Sequence, residues 1–143
     1  MQPPFHEAAP AKVNLALHVT GRREDGYHEL ESLVVFAGVA DEITARPAAA
    51  DSLKVTGPFA TQAGSGDANL VLKAVRAFRA RWPEHVTTGL EIELVKNLPV
   101  AAGLGGGSAD AAAMLRLLAL LGEGDILLAE LSAVALGLGA DVP

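Results

Sequence analysis

Between Leu98 and Leu121 the chain reads LPVAAGLGGGSADAAAMLRLLALL, and no other stretch restricts its fold so tightly. The segment after the glycines has helical spacing from about Ser108 to Leu121, and beyond Asp110 its only charged residue is Arg116. A helix that is apolar nearly all round must be covered on all sides, so it belongs at the centre of the molecule. Ahead of it stand Gly103, Gly105, Gly106 and Gly107. Glycine at that density costs backbone entropy, so the fold needs bare backbone there.

The remaining segments supply the cover. In KVNLALHVT (Lys12 to Thr20), Val13, Leu15, Leu17 and Val19 alternate with Lys12, Asn14, Ala16 and His18, the pattern of a half-buried strand. The alternation sends Lys12 and Asn14 together away from the core. GRREDGYHEL then reads as a polar turn punctuated by Gly21 and Gly26. ELESLVVFAGV and DEITARP read as two strands joined at Gly38 to Asp41, and SLKVTGP as a short fourth. After a loop at Gly64 to Asp67 the period changes: Val71, Val75, Phe78 and Trp82 form a helical stripe that Pro83 ends. GLEIELVKNLP returns to alternation, with Leu90, Ile92 and Leu94 inward. A last helix lies in GDILLAELSAVALGLG, with Asp125 as its expected N-cap. Several consecutive strands followed by mixed helices and strands point to an α+β domain.

Half of the 143 residues are hydrophobic and 20% are charged, the balance of one folded domain. The net charge of −6 argues against a non-specific nucleic-acid binder. The absence of cysteine excludes disulfides, thiol nucleophiles and cysteine-ligated zinc. No segment approaches about 18 uninterrupted apolar residues, and MQPPFHEAAP lacks the basic-then-apolar form of a secretory leader. The expectation is a soluble cytoplasmic protein with no membrane partner.

A strand, a glycine-rich loop and a helix N-terminus together form a site for an anion, and the ligand implied is a phosphate. No lysine follows these glycines as a P-loop requires. The acidic partner of a dinucleotide fingerprint is missing from the end of a second strand. The alternative is a tight strand-to-helix connection, for which one or two glycines suffice.

LPVAAGLGGGSADAAAMLRLL resembles the second motif of the GHMP kinase superfamily, which includes galactokinase, homoserine kinase and mevalonate kinase. PAKVNLALHVTGRREDGYHELESL and LGADVP are similar to the branch of that family whose substrate is a cytidyl diphosphate sugar alcohol. The resemblance runs from Pro10 to Pro143 with three motifs in register. It implies the GHMP kinase N-terminal domain, related to ribosomal protein S5 domain 2, across residues 1–143. It also implies ATP with Mg²⁺ as cofactors, and phosphoryl transfer to an alcohol of a small-molecule substrate. Other GHMP kinases, or a non-catalytic S5-like binding module, are the alternatives. The chain stops where the family continues into a second, ferredoxin-like domain. That leads us to expect an N-terminal portion with an apolar face uncovered beside the buried helix.

Carried over residue by residue, the resemblance makes Lys12 and Asp141 the catalytic pair. It assigns ATP to Pro99, Val100, Ala101, Ala102, Gly103, Leu104, Gly105, Gly106, Gly107, Ser108 and Ala109, with Asn69 and Lys96 near the nucleoside. Asn14, Tyr27 and His28 fall to the acceptor, the tyrosine stacking on cytosine and the histidine bonding its edge. Ser108 is the one metal ligand suggested. From the residues alone, Asp141 also fits a turn aspartate, Lys12 an exposed strand lysine and Tyr27–His28 loop surface. Asn69 also fits an N-cap, and Lys96 a solvated strand-end lysine. His6, His18 and His85 have no ligand spacing. Ala101 and Ala102 stand where the family often has glycine, so neither position is expected to need positive φ. Ala109 replaces a second serine, leaving Ser108 as the hydroxyl for phosphate.

Overall fold

A computed structural model of the protein describes residues 4–122 and 124–143. The elements are β1 (Phe5–Arg22), β2 (His28–Ala48), β3 (Ser52–Thr56), α1 (Ala60–Ala63), α2 (Leu70–Arg81), β4 (Gly89–Val95), α3 (Gly106–Leu121) and α4 (Leu128–Leu138). The strands form one sheet in the order β1-β2-β4-β3. Its β1–β2 and β2–β4 pairs are antiparallel, and the β3–β4 pair is parallel. A parallel pair needs a crossover, which α1 and α2 provide. The helices cover one face of the sheet, giving the expected α+β domain.

Ile43, Ala45, Leu90, Ile92 and Leu94 point from the sheet into the core and are fully buried. From α2 come Val71, Ala74, Val75 and Phe78. The ring of Phe78 meets Trp82 with centroids 4.8 Å apart, and Trp82 closes the helix just before Pro83. Ala111, Ala113, Met114, Leu115, Leu117 and Leu118 of α3 complete the core. The opposite sheet face carries charge pairs suited to water, among them Arg46 with Glu91 and Lys54 with Glu93.

Several expectations from the sequence are corrected. Residues 28–48 are one continuous strand, not two joined at Gly38 to Asp41. Asp41 sits in mid-strand with its carboxylate fully bonded inside the protein, so a residue typical of turns is accommodated without one. The alternation of Val13, Leu15, Leu17 and Val19 does not mark a buried face. Leu15, Leu17 and Val19 are 51% to 63% exposed, and the buried residues of β1 are Ala9 and Ala11. The reason is reach. Helices cover only the first part of β1, and beyond it β1 and β2 continue as a two-stranded ribbon. Register shifts at Pro10/Lys12, Asn14/Ala16 and Val19/Gly21 interrupt that ribbon. Leu30, Leu33 and Phe36 are exposed there too, so the uncovered apolar surface lies chiefly on the ribbon rather than beside α3. Helix α3 begins at Gly106, two residues before Ser108, and α4 begins after Leu127 with no capping by Asp125. The short α1 carries no apolar stripe and no side-chain cap, hence no signal in the sequence.

Replacing Phe78 by Ala is expected to cost about 3–5 kcal/mol, the range for aromatic truncation in a core. Leu17→Ser is expected to cost under about 1 kcal/mol, as for an exposed position. Urea unfolding of both variants measures the difference. A loss at Leu17 equal to that at Phe78 would restore the inward reading of the strand.

Candidate active site

The turn between β4 and α3 has an unusual backbone. Ala101, Gly103 and Gly105 have φ of 59°, 73° and 65°, so left-handed residues occupy every second position. Alternating handedness turns consecutive backbone N–H groups toward one side, which is the geometry of an anion-binding nest. The expectation that Ala101 needs no positive φ is therefore wrong: the chain places an alanine where its Cβ is strained. Gly105 is the residue before α3, and its carbonyl accepts the first helical bond from the N–H of Ala109 at 2.8 Å. The N–H groups of residues 106–108 have no partner within the helix. No side chain caps this end and its first turn holds no acidic residue, so the positive end of a 16-residue helix is left for an anion.

Two of the four glycines stand against the protein's own side chains, Gly107 the more tightly. A Cβ on Gly107 would lie 3.3 Å from Leu70 Cδ1, and one on Gly106 would lie 3.4 Å from Lys96 Nζ.

The open side of the turn faces a cavity of about 450 Å³ lined by Lys12, Phe36, Gly105, Ala109, Arg116 and Asp141, among others. Strand β1 is tied to the turn by the Lys12 N–H, which donates to the Leu104 carbonyl at 2.9 Å. The Lys12 side chain, part of the cavity lining, reaches Asp141, with Nζ 2.9 Å from Oδ1. Asp141 is the more exposed partner, at 65% against 23% for Lys12. Arg116 is held by Glu7 at 3.2 Å and by the Ala8 carbonyl at 3.1 Å.

Behind the turn lies a second charged group, which the sequence reading did not foresee. Lys96, Asp41 and Asp110 are all buried. Lys96 Nζ donates to Asp41 Oδ2 and, at 2.8 Å, to Asp110 Oδ2. The other oxygen of Asp41 accepts the backbone N–H groups of Asn97 and Leu98 at 2.6 and 2.8 Å. Among the described residues Asp110 Oδ1 has no partner. Burial pushes the Asp110 carboxyl up to about 7, against the opposing pull of Lys96.

The family of GHMP kinases N-terminal domains matches residues 69–143. The chain belongs to this family. Among curated proteins it is 51% identical over 141 residues to the 4-diphosphocytidyl-2-C-methyl-D-erythritol kinase of Brucella melitensis, and the match covers 99% of this chain and 47% of that protein. With the protein of the same name from Methylobacterium radiotolerans, identity is 57% over 141 residues, covering 96% and 47%. The chain thus spans about half the length of these relatives. A crystal structure of 4-(cytidine 5'-diphospho)-2C-methyl-D-erythritol kinase superposes with a TM-score of 0.72 at 42% identity, covering 97% of this chain and 47% of that one. Homoserine kinase from Cytophaga hutchinsonii shares the fold, with a TM-score of 0.69 at 18% identity over 96% of this chain and 41% of its own.

Within this GHMP kinase domain the expected site residues divide. Lys12, Gly105, Ala109 and Asp141 line one cavity. Pro99 to Ser108 form the turn and the start of α3, and of these Gly105 reaches the cavity lining. Asn69 is an N-cap: its Oδ1 accepts the Val71 N–H at 2.9 Å while its Nδ2 donates to the Gly64 carbonyl at 2.8 Å. It stays near the turn because its neighbour Leu70 abuts Gly107. Lys96 is not a solvated strand-end lysine; it is enclosed behind the turn. Asn14 lies on the ribbon and accepts a bond from Ser32 Oγ at 3.0 Å. Tyr27 and His28 are exposed at the ribbon tip and do not line the cavity. Among the described residues no acidic or histidine cluster could hold a metal, and no helix is long and apolar enough to cross a membrane.

Two outcomes follow for this site. Removing the strain at residue 101 by Ala101→Gly is expected to stabilise the protein by about 0.5–1 kcal/mol, the left-handed cost of alanine less the added flexibility of glycine in the unfolded chain. Chemical denaturation checks the sign. The raised Asp110 carboxyl makes a pH-dependent contribution. A group that binds its proton more tightly when folded stabilises fully below its unfolded value of 3.8, and this stability is lost as pH rises through about 7. Asp110→Asn cannot ionise, so its stability relative to the parent is expected to rise between pH 4 and pH 8. A constant difference across that window would show that Asp110 ionises normally.

Proposed function

We propose that this chain forms the nucleotide-binding part of a kinase that transfers the γ-phosphoryl group of ATP to the 2-hydroxyl of 4-diphosphocytidyl-2-C-methyl-D-erythritol. The observation that carries the reading is the Lys12–Asp141 pair, 2.9 Å apart, over a cavity bounded by the uncapped N-terminus of α3. The names of relatives more than 50% identical to it support the choice of acceptor. The DGYHEL stretch supports a cytidine-reading role for Tyr27 and His28, with Asn14 beside the acceptor. Tyr27 is free to receive a base: the residue is 66% exposed, and its backbone N–H is held by Asp25 Oδ1 at 3.1 Å.

In this reading the phosphates lie on the N–H groups of the turn and of α3, with Ser108 adding a hydroxyl. Phosphoryl transfer asks chiefly for alignment and for charge placed where it develops. Asp141 accepts the proton of the attacking hydroxyl as the new O–P bond forms. The bond from the γ-phosphorus to the bridging oxygen breaks, and ADP carries away the electrons. Lys12 orients Asp141 and offsets the negative charge building up beside it. Mg²⁺ would neutralise phosphate charge when bound. Ser108 is the donor this chain would offer it.

In the intact protein Asp141→Asn preserves shape and removes the base. Turnover is expected to fall by roughly 10²-fold or more, with the Michaelis constants little changed. ADP release with the cytidyl substrate, and with homoserine as a comparison acceptor, measures both the step and the specificity. Near-normal turnover would make Asp141 structural, and faster reaction with homoserine would overturn the choice of acceptor.

A further inference from the structure

The glycine turn is held from behind as well as open in front. Asp41 belongs to β2, Lys96 directly follows β4, and Asp110 lies at the fifth residue of α3. One oxygen of Asp41 takes the N–H groups of Asn97 and Leu98, where the chain enters the turn. Its other oxygen takes Lys96, which reaches across to Asp110 where the chain leaves the turn. Asn97 adds a bond of 3.0 Å from its side chain to the Ala40 carbonyl. Both ends of the turn are therefore fastened to one point in mid-sheet.

We infer that Asp41, Lys96 and Asp110 are positioning residues that clamp the phosphate-binding turn, with Lys96 acting through the backbone of Gly106 and not by touching the nucleotide. This rests on the phosphate reading above. The first residue of α3 lies directly on the clamp: a Cβ at Gly106 would be 3.4 Å from Lys96 Nζ and 3.6 Å from Asp41 Oδ2. A Cβ at Gly105 would instead meet Lys12, 3.5 Å from its Cε. Adjacent glycines thus separate two ammonium groups, one serving the cavity and one enclosed behind it. Lys96 is only 2% exposed and has both carboxylates to bond. Stability alone does not explain such a group. Buried ion pairs are often no more stabilising than apolar side chains of the same volume, and here one carboxylate oxygen is left unpaired. A directional task does explain it. The left-handed Ala101 persists only where its surroundings hold it, and three bonds to Asp41 hold the approach to it.

The test uses the intact protein and two substitutions that each leave a balanced ion pair. Asp41→Ala leaves Lys96 with Asp110, and Asp110→Ala leaves Lys96 with Asp41. Amide hydrogen exchange over residues 97–106 is expected to quicken about tenfold in Asp41→Ala, with protection of β4 unchanged. The Michaelis constant for ATP is expected to rise about tenfold in both variants, the scale of one charged hydrogen bond, while that for the acceptor stays constant. Asp110→Asn keeps an acceptor for Lys96 and is expected to bind ATP like the parent. Equal losses in Asp110→Ala and Asp110→Asn, or both Michaelis constants rising together, would overturn the clamp. So would parental exchange in a folded Asp41→Ala. Failure of the parent to bind ATP would sink the kinase reading instead, and the exchange measurement would still decide the clamp.

Discussion

An ammonium group shut away from water must find its counter-charges within bonding distance, and Lys96 finds them on two different elements. Strand β4 delivers the lysine, β2 delivers Asp41 and α3 delivers Asp110. Removing Lys96 leaves uncompensated charge in the interior, and removing either carboxylate leaves an unmet donor there. The relative placement of sheet and central helix is thus specified by a charge network at one end and by apolar packing along the rest. The first makes direction matter, while the second supplies most of the burial.

That arrangement explains how one short turn serves two masters. Under the proposed function its cavity side presents unpartnered N–H groups to a ligand, while its inner side stays against the protein. The glycines divide accordingly. Gly103 and Gly105 allow the left-handed steps, Gly107 stands tight against Leu70, and Gly106 lies in ordinary contact with Lys96. Four glycines in five residues therefore reflect two demands, only one of them from the ligand.

Much of this was legible in the residues. The central helix followed from its lack of charge, and the Lys12–Asp141 pair followed from the family resemblance. The buried cluster could have been found by parity. Lys96 is in phase with Leu90, Ile92 and Leu94, and Asp41 with Ile43 and Ala45, so each charged residue sits in an inward series. Asp41 instead falls at an expected strand junction and Lys96 fits either a nucleotide site or a solvated strand end, because nothing local shows that two distant ions will meet. The ribbon was misread for the opposite reason. Apolar alternation reports that a face is suited to burial, but not that any element lies over it. The strain at Ala101 had no signal at all, since alanine adopts a left-handed backbone only where the surrounding structure compels it.

Strand β2 passes through both regimes along its own length. Residues 42–45 pair with both β1 and β4 in the part of the sheet that the helices cover, whereas residues 28–36 pair with β1 alone. Two-stranded ribbons have little stability of their own in water. One continuous strand therefore spans the most and the least cooperative parts of the molecule, with Asp41 near their boundary. The ribbon can open and re-form locally while the inner strand opens only when the whole domain unfolds. The chain thus has a compliant arm rooted in a rigid base, and that compliance stops short of the glycine turn.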